Sequence, residues 1–119
     1  MEFINCDLTY LHNCEELFKN KVNIVLHIAG VKGSPARSSK QPCDYLFPML
    51  MFNTNMIKAA FDAKVDWFVY LSSVGVYQPA ELMNEDDVWK TTPSRNDWYP
   101  GWTKRMGEAT LESLTVQYG

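Results

Sequence analysis

The chain has 119 residues, of which 46% are hydrophobic and 21% charged, with a formal net charge of −3. The length allows one domain. The composition is that of a globular protein rather than a disordered one, and no basic stripe marks a nucleic-acid partner.

Glu2–Cys6 reads as a short extended segment. Residues 9–20 carry Leu11, Cys14, Leu17 and Phe18 at helical spacing, with Asp7 or Thr9 as the cap. Val22–Ala29 is a nearly continuous apolar run rich in β-branched residues, the pattern of a strand buried on both faces. Residues 30–42 read as a loop. A helix follows to about Ala63, with Leu46, Met49, Leu50, Asn53, Met56, Ile57 and Ala60 on one face. Pro48 is tolerated only in a first turn, so the regular helix is expected to start near Phe47. Val65–Ser72 is a second buried strand, and residues 73–101 form a long loop, acidic in its middle. The last helix is expected over 102–118, with Trp102, Met106, Ala109, Leu114 and Tyr118 as its apolar positions.

Cys6, Cys14 and Cys43 cannot all pair with one another and show no CxxC spacing, so they read as reduced thiols of a cytoplasmic protein. Cys6, His12 and Cys14 fit no standard zinc spacing, and no metal is expected. The first residues carry neither the basic nor the apolar part of a signal peptide. The most apolar run, Tyr45–Phe52, is far short of the ~20 residues that span a bilayer, so no membrane partner is expected.

Strands alternating with helices predict a parallel α/β sheet whose ligands bind beyond the carboxyl ends of the strands. Three such ends carry candidate chemistry. At the first, Asp7 either caps the next helix or accepts a hydrogen bond from an adenine amino group, with Leu8 against the ring. At the second, Ala29 and Gly30 let a flat ligand approach the backbone, and Lys32 brings a cation. His27 reads as a core histidine. At the third, Ser72 and Ser73 point hydroxyls toward the crevice. GxSxG is absent and no His is placed to activate either serine, which argues against hydrolysis. Tyr99 either packs with Trp98 at the end of the loop or, with Lys104, completes the set, since a lysine beside a phenol lowers its pKa toward working pH.

These motifs together resemble the extended short-chain dehydrogenase/reductase family of NAD-dependent epimerases and dehydratases. Nucleotide-sugar enzymes such as UDP-galactose 4-epimerases and GDP-fucose synthases are the most similar members. The resemblance runs through HIAGVK, the helix QPCDYLFPMLMFNTNMIKAA, the segment DWFVYLSSVGVY and the helix start GWTKRMGE, in family order. It implies a partial Rossmann-like three-layer α/β domain with parallel strands, about three strands and three helices. It implies hydride transfer at a sugar carbon, with Ser73, Tyr99 and Lys104 as catalytic residues. Asp7, Leu8, Ile28, Ala29, Gly30, Lys32, Leu71, Ser72 and Lys104 would bind NAD or NADP, and a nucleotide sugar would be the substrate. A homodimer through helices 44–63 and 102–118 is implied as well. The alternatives are a non-enzymatic dimerisation module and a decayed, truncated homologue.

Three positions depart from the family pattern. The catalytic Tyr is expected four residues before the Lys, where this chain has Pro100. A cofactor-contacting Asn is expected near Pro48–Met49. A Cys two after the serine, present in GDP-fucose synthases, is Gly75 here. No GxxGxxG loop occurs in the chain. The resemblance therefore implies an internal piece, residues 1–119, of a cofactor domain, with the glycine loop upstream and the substrate half downstream. Such a piece is expected to bind cofactor weakly, to turn over nothing, and to expose apolar patches larger than a monomer usually shows.

Overall fold

The computed structural model describes residues 2–119, as a two-stranded parallel sheet packed on helices. In chain order the elements are α1 (Leu11–Glu16), β1 (Ile24–His27), α2 (Pro35–Lys40), α3 (Cys43–Asp62), β2 (Trp67–Tyr70) and α4 (Trp98–Tyr118). Short 3-10 turns at Val74–Val76, Glu85–Lys90 and Arg95–Asp97 punctuate the loop before α4.

β1 and β2 pair from Ile24 opposite Trp67 to His27 opposite Tyr70. Partners lie 43 residues apart, so the parallel pairing needs a crossover, which α2 and α3 supply. Alternation along each strand turns Val25, His27, Phe68 and Tyr70 toward α3, while Ile24, Leu26, Trp67 and Val69 face away. That outer face is open: Leu26 is 67% exposed and Trp67 69%. Ile24 and Val69 beside them are exposed too, so this face of the sheet presents apolar side chains to solvent.

The strand expected at Glu2–Cys6 does not form, which leaves two strands where about three were expected. Its backbone has no neighbouring strand to bond, and a lone extended segment gains nothing from its unpaired N–H and C=O groups. Both remaining strands are four residues long, shorter than their apolar runs.

α3 holds the core. Met49, Phe52, Asn53, Met56, Ile57, Ala59 and Ala60 are buried along one stripe, close to the face read from the sequence. Met56 and Ala59 join Cys14 of α1, with Leu8, Leu17, Phe18, Val25 and Phe68 around them. α3 begins at Cys43 rather than near Phe47, so Pro48 lies inside it. The proline removes the one N–H that would bond the Asp44 carbonyl, and the helix continues past that lost bond. α3 ends in a Schellman motif. Val65 N–H donates to the Ala60 carbonyl at 3.2 Å and Lys64 N–H to that of Phe61 at 3.0 Å. Lys64 takes the left-handed position with φ 56°.

α2 forms inside the segment read as a loop, started by Ser34, whose hydroxyl accepts from Arg37 N–H, and by Pro35. α4 begins at Trp98, four residues earlier than expected. It buries Gly101, Thr103, Lys104, Arg105 and Gly107 rather than its apolar residues. Met106 and Tyr118 are exposed. Close approach decides this: a β-carbon at Gly107 would fall 2.3 Å from the Tyr70 hydroxyl, and one at Gly101 2.6 Å from the Gly75 carbonyl.

Candidate functional site

The carboxyl ends of β1 and β2 open into a cleft of about 200 Å³. The turn after β1 forms one wall with Ile28, Ala29, Gly30 and Lys32. Leu71, Ser72 and Ser73 after β2 form a second, and Asp97, Pro100 and Lys104 a third. Tyr45 and Met49 of α3 make the floor. Eight sequence-read residues, Ile28, Ala29, Gly30, Lys32, Leu71, Ser72, Ser73 and Lys104, thus meet in one place.

Lys104 ties the strand ends together. Its ammonium donates to the Leu71 carbonyl at 2.7 Å and to that of Ala29 at 3.4 Å. It also sits 4.8 Å from the centre of the Tyr70 ring. Burial holds its pKa below the usual lysine value, the positive charge of Lys32 lowers it further, and Glu108 opposes both. Two cations thus face one small cleft.

Below the cleft, His27 Nε2 lies 2.8 Å from Asn53 Oδ1, an acceptor, so Nε2 carries the proton. The imidazole stacks on Tyr70 with ring centres 5.8 Å apart. Burial lowers its pKa, the Asn53 bond partly offsets this, and the Lys104 charge lowers it further. His27 is therefore a neutral core residue. Tyr70 is pushed well above the ordinary phenol value, by burial first and by Glu108 second.

The serines differ. Ser72 gives its hydroxyl proton to the Glu108 carboxylate. Ser73 accepts from Gly75 N–H at 3.1 Å, which leaves its own proton free to donate at the cleft edge.

Tyr99 is not among the residues that line the cleft. α4 is already helical at Trp98, so Tyr99 and Pro100 are its second and third residues. Proline is tolerated there because the first-turn N–H groups have no partners within the helix. The helix runs on regularly, so Pro100, one turn before Lys104, shares the cleft wall, and Tyr99 is turned about 100° from it. The bulge that would bring Tyr99 in does not form.

Asp7 and Leu8 also lie outside this cleft. The Asp7 carboxylate accepts from Thr9 N–H at 2.9 Å and from the Thr9 hydroxyl at 2.7 Å. Those bonds lower its pKa, that of the Thr9 backbone first. Leu8 packs on the Cys14 cluster, and its carbonyl accepts from Asn55.

Asp97 and Tyr45 are among the cleft residues that the sequence reading of the site missed. Asp97 is seven residues before Lys104, the spacing of one helical face, but it precedes the stretch read as helix. Its β-carbon sits where a side chain on Gly75 would project, 2.8 Å from the position of a β-carbon there. Tyr45 is four before Met49, and its burial depends on the bare Gly33 above it.

A family described as the NAD dependent epimerase/dehydratase family matches residues 1–119. No curated protein sequence matches the chain significantly. Solved structures do. A GDP-mannoheptose C4 reductase from Campylobacter jejuni, with NADP bound, superposes with a TM-score of 0.84 at 24% identity, over 95% of this chain and 37% of its own. A GDP-D-glycero-L-gluco-heptose synthase from the same organism, solved in the presence of NADPH, gives 0.85 at 24% identity, over 95% and 34%. A UDP-glucose 4-epimerase from Bifidobacterium longum, in complex with NAD+ and UDP, gives 0.75 at 24% identity, over 97% and 34%. The chain therefore spans about a third of the length of these proteins.

Proposed function

The chain belongs to the NAD dependent epimerase/dehydratase family, whose Rossmann-like fold it carries in part, and from this we propose that its cleft serves the nicotinamide end of NAD or NADP in an enzyme acting on a nucleotide sugar. The 119 residues are read as one part of that enzyme's cofactor domain. The observation that carries the reading is the Lys104 ammonium, held between the carbonyls of Leu71 and Ala29 at the mouth of both strands.

The residues present suit one end of the cofactor. Gly30 leaves open space above the backbone, where a β-carbon would meet nothing within 4 Å. A cleft of about 200 Å³ is below the ~300 Å³ at which whole-ligand pockets usually begin, so it suits a ribose and its base rather than a dinucleotide. The glycine-rich turn that would present N–H groups to the pyrophosphate is absent from the sequence. The nicotinamide, when bound, supplies or accepts hydride. Lys104 would hold the ribose hydroxyls, Lys32 would face the negative charge of the ligand, and Ser73 would orient a sugar oxygen with its free proton.

The proton is the missing half of the chemistry. Pro100 occupies the wall position one turn before Lys104, and proline carries no acid or base. The chain is therefore expected to bind reduced cofactor weakly and to leave nucleotide sugars unchanged. Titration with NADH, followed by its fluorescence, tests this. Saturation in the millimolar range supports the reading. Micromolar affinity, or turnover of UDP-glucose or GDP-mannose, would overturn it.

A second reading, pairing of two copies through α3 and α4, is favoured by a separate feature. A groove of about 330 Å³ between these helices is lined by Leu11, Ile57, Phe61 and Leu114. Phe47 and Met51 are exposed on α3. Sedimentation velocity that finds only monomer at all concentrations rejects it.

A further inference from the structure

We propose that the Tyr45 hydroxyl is a ligand-binding group of the cleft, one that bonds an oxygen of a nicotinamide ribose or its phosphate. The proposal rests on the nicotinamide reading of the cleft given above. Tyr45 is 2% exposed, and its hydroxyl has no hydrogen-bond partner among the described residues. A buried phenol without a partner is uncommon, because it has given up water and gained nothing in exchange. Such a group either stores strain or waits for a partner that arrives with a ligand.

The surroundings favour the second. The ring lines the cleft floor together with Met49, one helical turn on. Its oxygen lies under the turn after β1, where a β-carbon on Gly33 would come within 1.7 Å of it. Gly33 is thus bare at the point where the phenol oxygen stands. The wall residues Ala29 and Gly30 have almost no side chain and line the same cleft as Tyr45. The α3 positions one turn further on are Pro48 and Met49, neither of which offers a polar hydrogen. Tyr45 is the one residue of α3 on the cleft floor that does.

A hydroxyl kept for a ligand has an unusual signature. Deleting it should weaken binding without weakening the fold, because in the free chain it bonds nothing. Tyr45→Phe removes only that oxygen. The probe is reduced nicotinamide mononucleotide at millimolar concentration, with binding read by saturation-transfer NMR on the 119-residue chain. UDP-glucose serves as a second arm.

Tyr45→Phe is expected to raise the Kd for the mononucleotide about 3- to 10-fold, the effect of one lost hydrogen bond. Its Tm should stay the same or rise by about 1–3 °C. Equal binding by wild type and variant overturns the assignment and leaves the cofactor reading standing. Loss confined to UDP-glucose assigns the hydroxyl to a sugar substrate and overturns it as stated. A lowered Tm shows that the oxygen is bonded within the fold and overturns it too. A wild-type chain that takes up no mononucleotide overturns both this inference and the reading beneath it.

Discussion

Pro100 and Lys104 stand one helical turn apart on the same wall of the cleft, with the proline where a phenol would meet the lysine. The lysine is in place and fixed by two strand-end carbonyls. What the wall lacks is a single side chain. Pro100→Tyr should therefore add a phenol facing a buried ammonium, which favours the phenolate. The new N–H falls in the first turn of α4, where no intrahelical partner is required of it. Ultraviolet difference titration is expected to show one extra tyrosinate with a midpoint below the ordinary ~10. A new phenol titrating at or above that value would show that position 100 does not face Lys104.

His27 gives the fold a pH dependence. Its folded pKa lies below the usual 6.5, because burial disfavours the imidazolium and Lys104 adds like charge, against a partial offset from Asn53. From the unfolded value near 6.5 downward, the unfolded chain takes up the proton first. The stability of the neutral, buried form is thus complete above pH 6.5 and is lost as pH falls toward the folded value. Thermal unfolding from pH 7.5 to 5 should show Tm falling more steeply for wild type than for His27→Gln. Parallel curves would mean that His27 does not titrate differently in the two states.

Arg105 secures the loop that carries Ser73 and Asp97 to the cleft. It is almost fully buried, and its guanidinium donates to the Val76 carbonyl, at 2.9 Å from Nε, and to that of Thr91. Among the described residues no carboxylate accepts from it, so its charge-assisted bonds go to the chain it holds. Arg105→Met keeps most of the stem and leaves two carbonyls unpaired. The expected loss is about 2–4 kcal/mol. Hydrogen exchange should rise across residues 74–97 before it rises in α3. A uniform rise across the chain would deny Arg105 this local role.

What was legible in the sequence, and what was not, divides along physical lines. Both strands announce themselves as apolar runs, and the α3 stripe repeats at three and four, so the parallel pair and the core face of α3 followed, whereas Glu2–Cys6, without an apolar run or a neighbour, forms no strand. Burial in α4 runs against its hydropathy, because Gly101 and Gly107 are chosen for close approach and Lys104 and Arg105 for carbonyls on other segments. Such partners have no local signature. α2 does have one, since Ser34 followed by Pro35 is a helix start, but its six residues lack an apolar face to mark them. The place of Tyr99 turned on where α4 begins, and a shift of four residues decided which side chain meets the cleft.

Lys64 offers a direct gain in stability. It ends α3 in the left-handed conformation, φ 56°, where a β-carbon crowds the backbone and glycine does not. The Schellman bonds from Lys64 and Val65 are made by backbone N–H groups and are kept by any residue at 64. Lys64→Gly should therefore stabilise the chain by about 0.5–1 kcal/mol, raising Tm by about 2–4 °C. An unchanged or lower Tm would mean that the added freedom of glycine in the unfolded chain outweighs the relief.

The outer face of the sheet makes the last prediction. Leu26 and Trp67 point away from α3 and are mostly exposed, so replacing them removes little that the folded chain buries. Water meets this apolar face in the free chain, and the hydrophobic effect drives it to cover itself by association. Leu26→Glu combined with Trp67→Lys puts a charge on each strand of that face, Leu26 lying opposite Val69 and Trp67 opposite Ile24. The double variant should keep its Tm within about 2–4 °C of wild type, as surface changes usually do. Its weight-average sedimentation coefficient should rise less with concentration. Association that persists unchanged would place the self-contact elsewhere, and the α3–α4 groove would be the next face to charge.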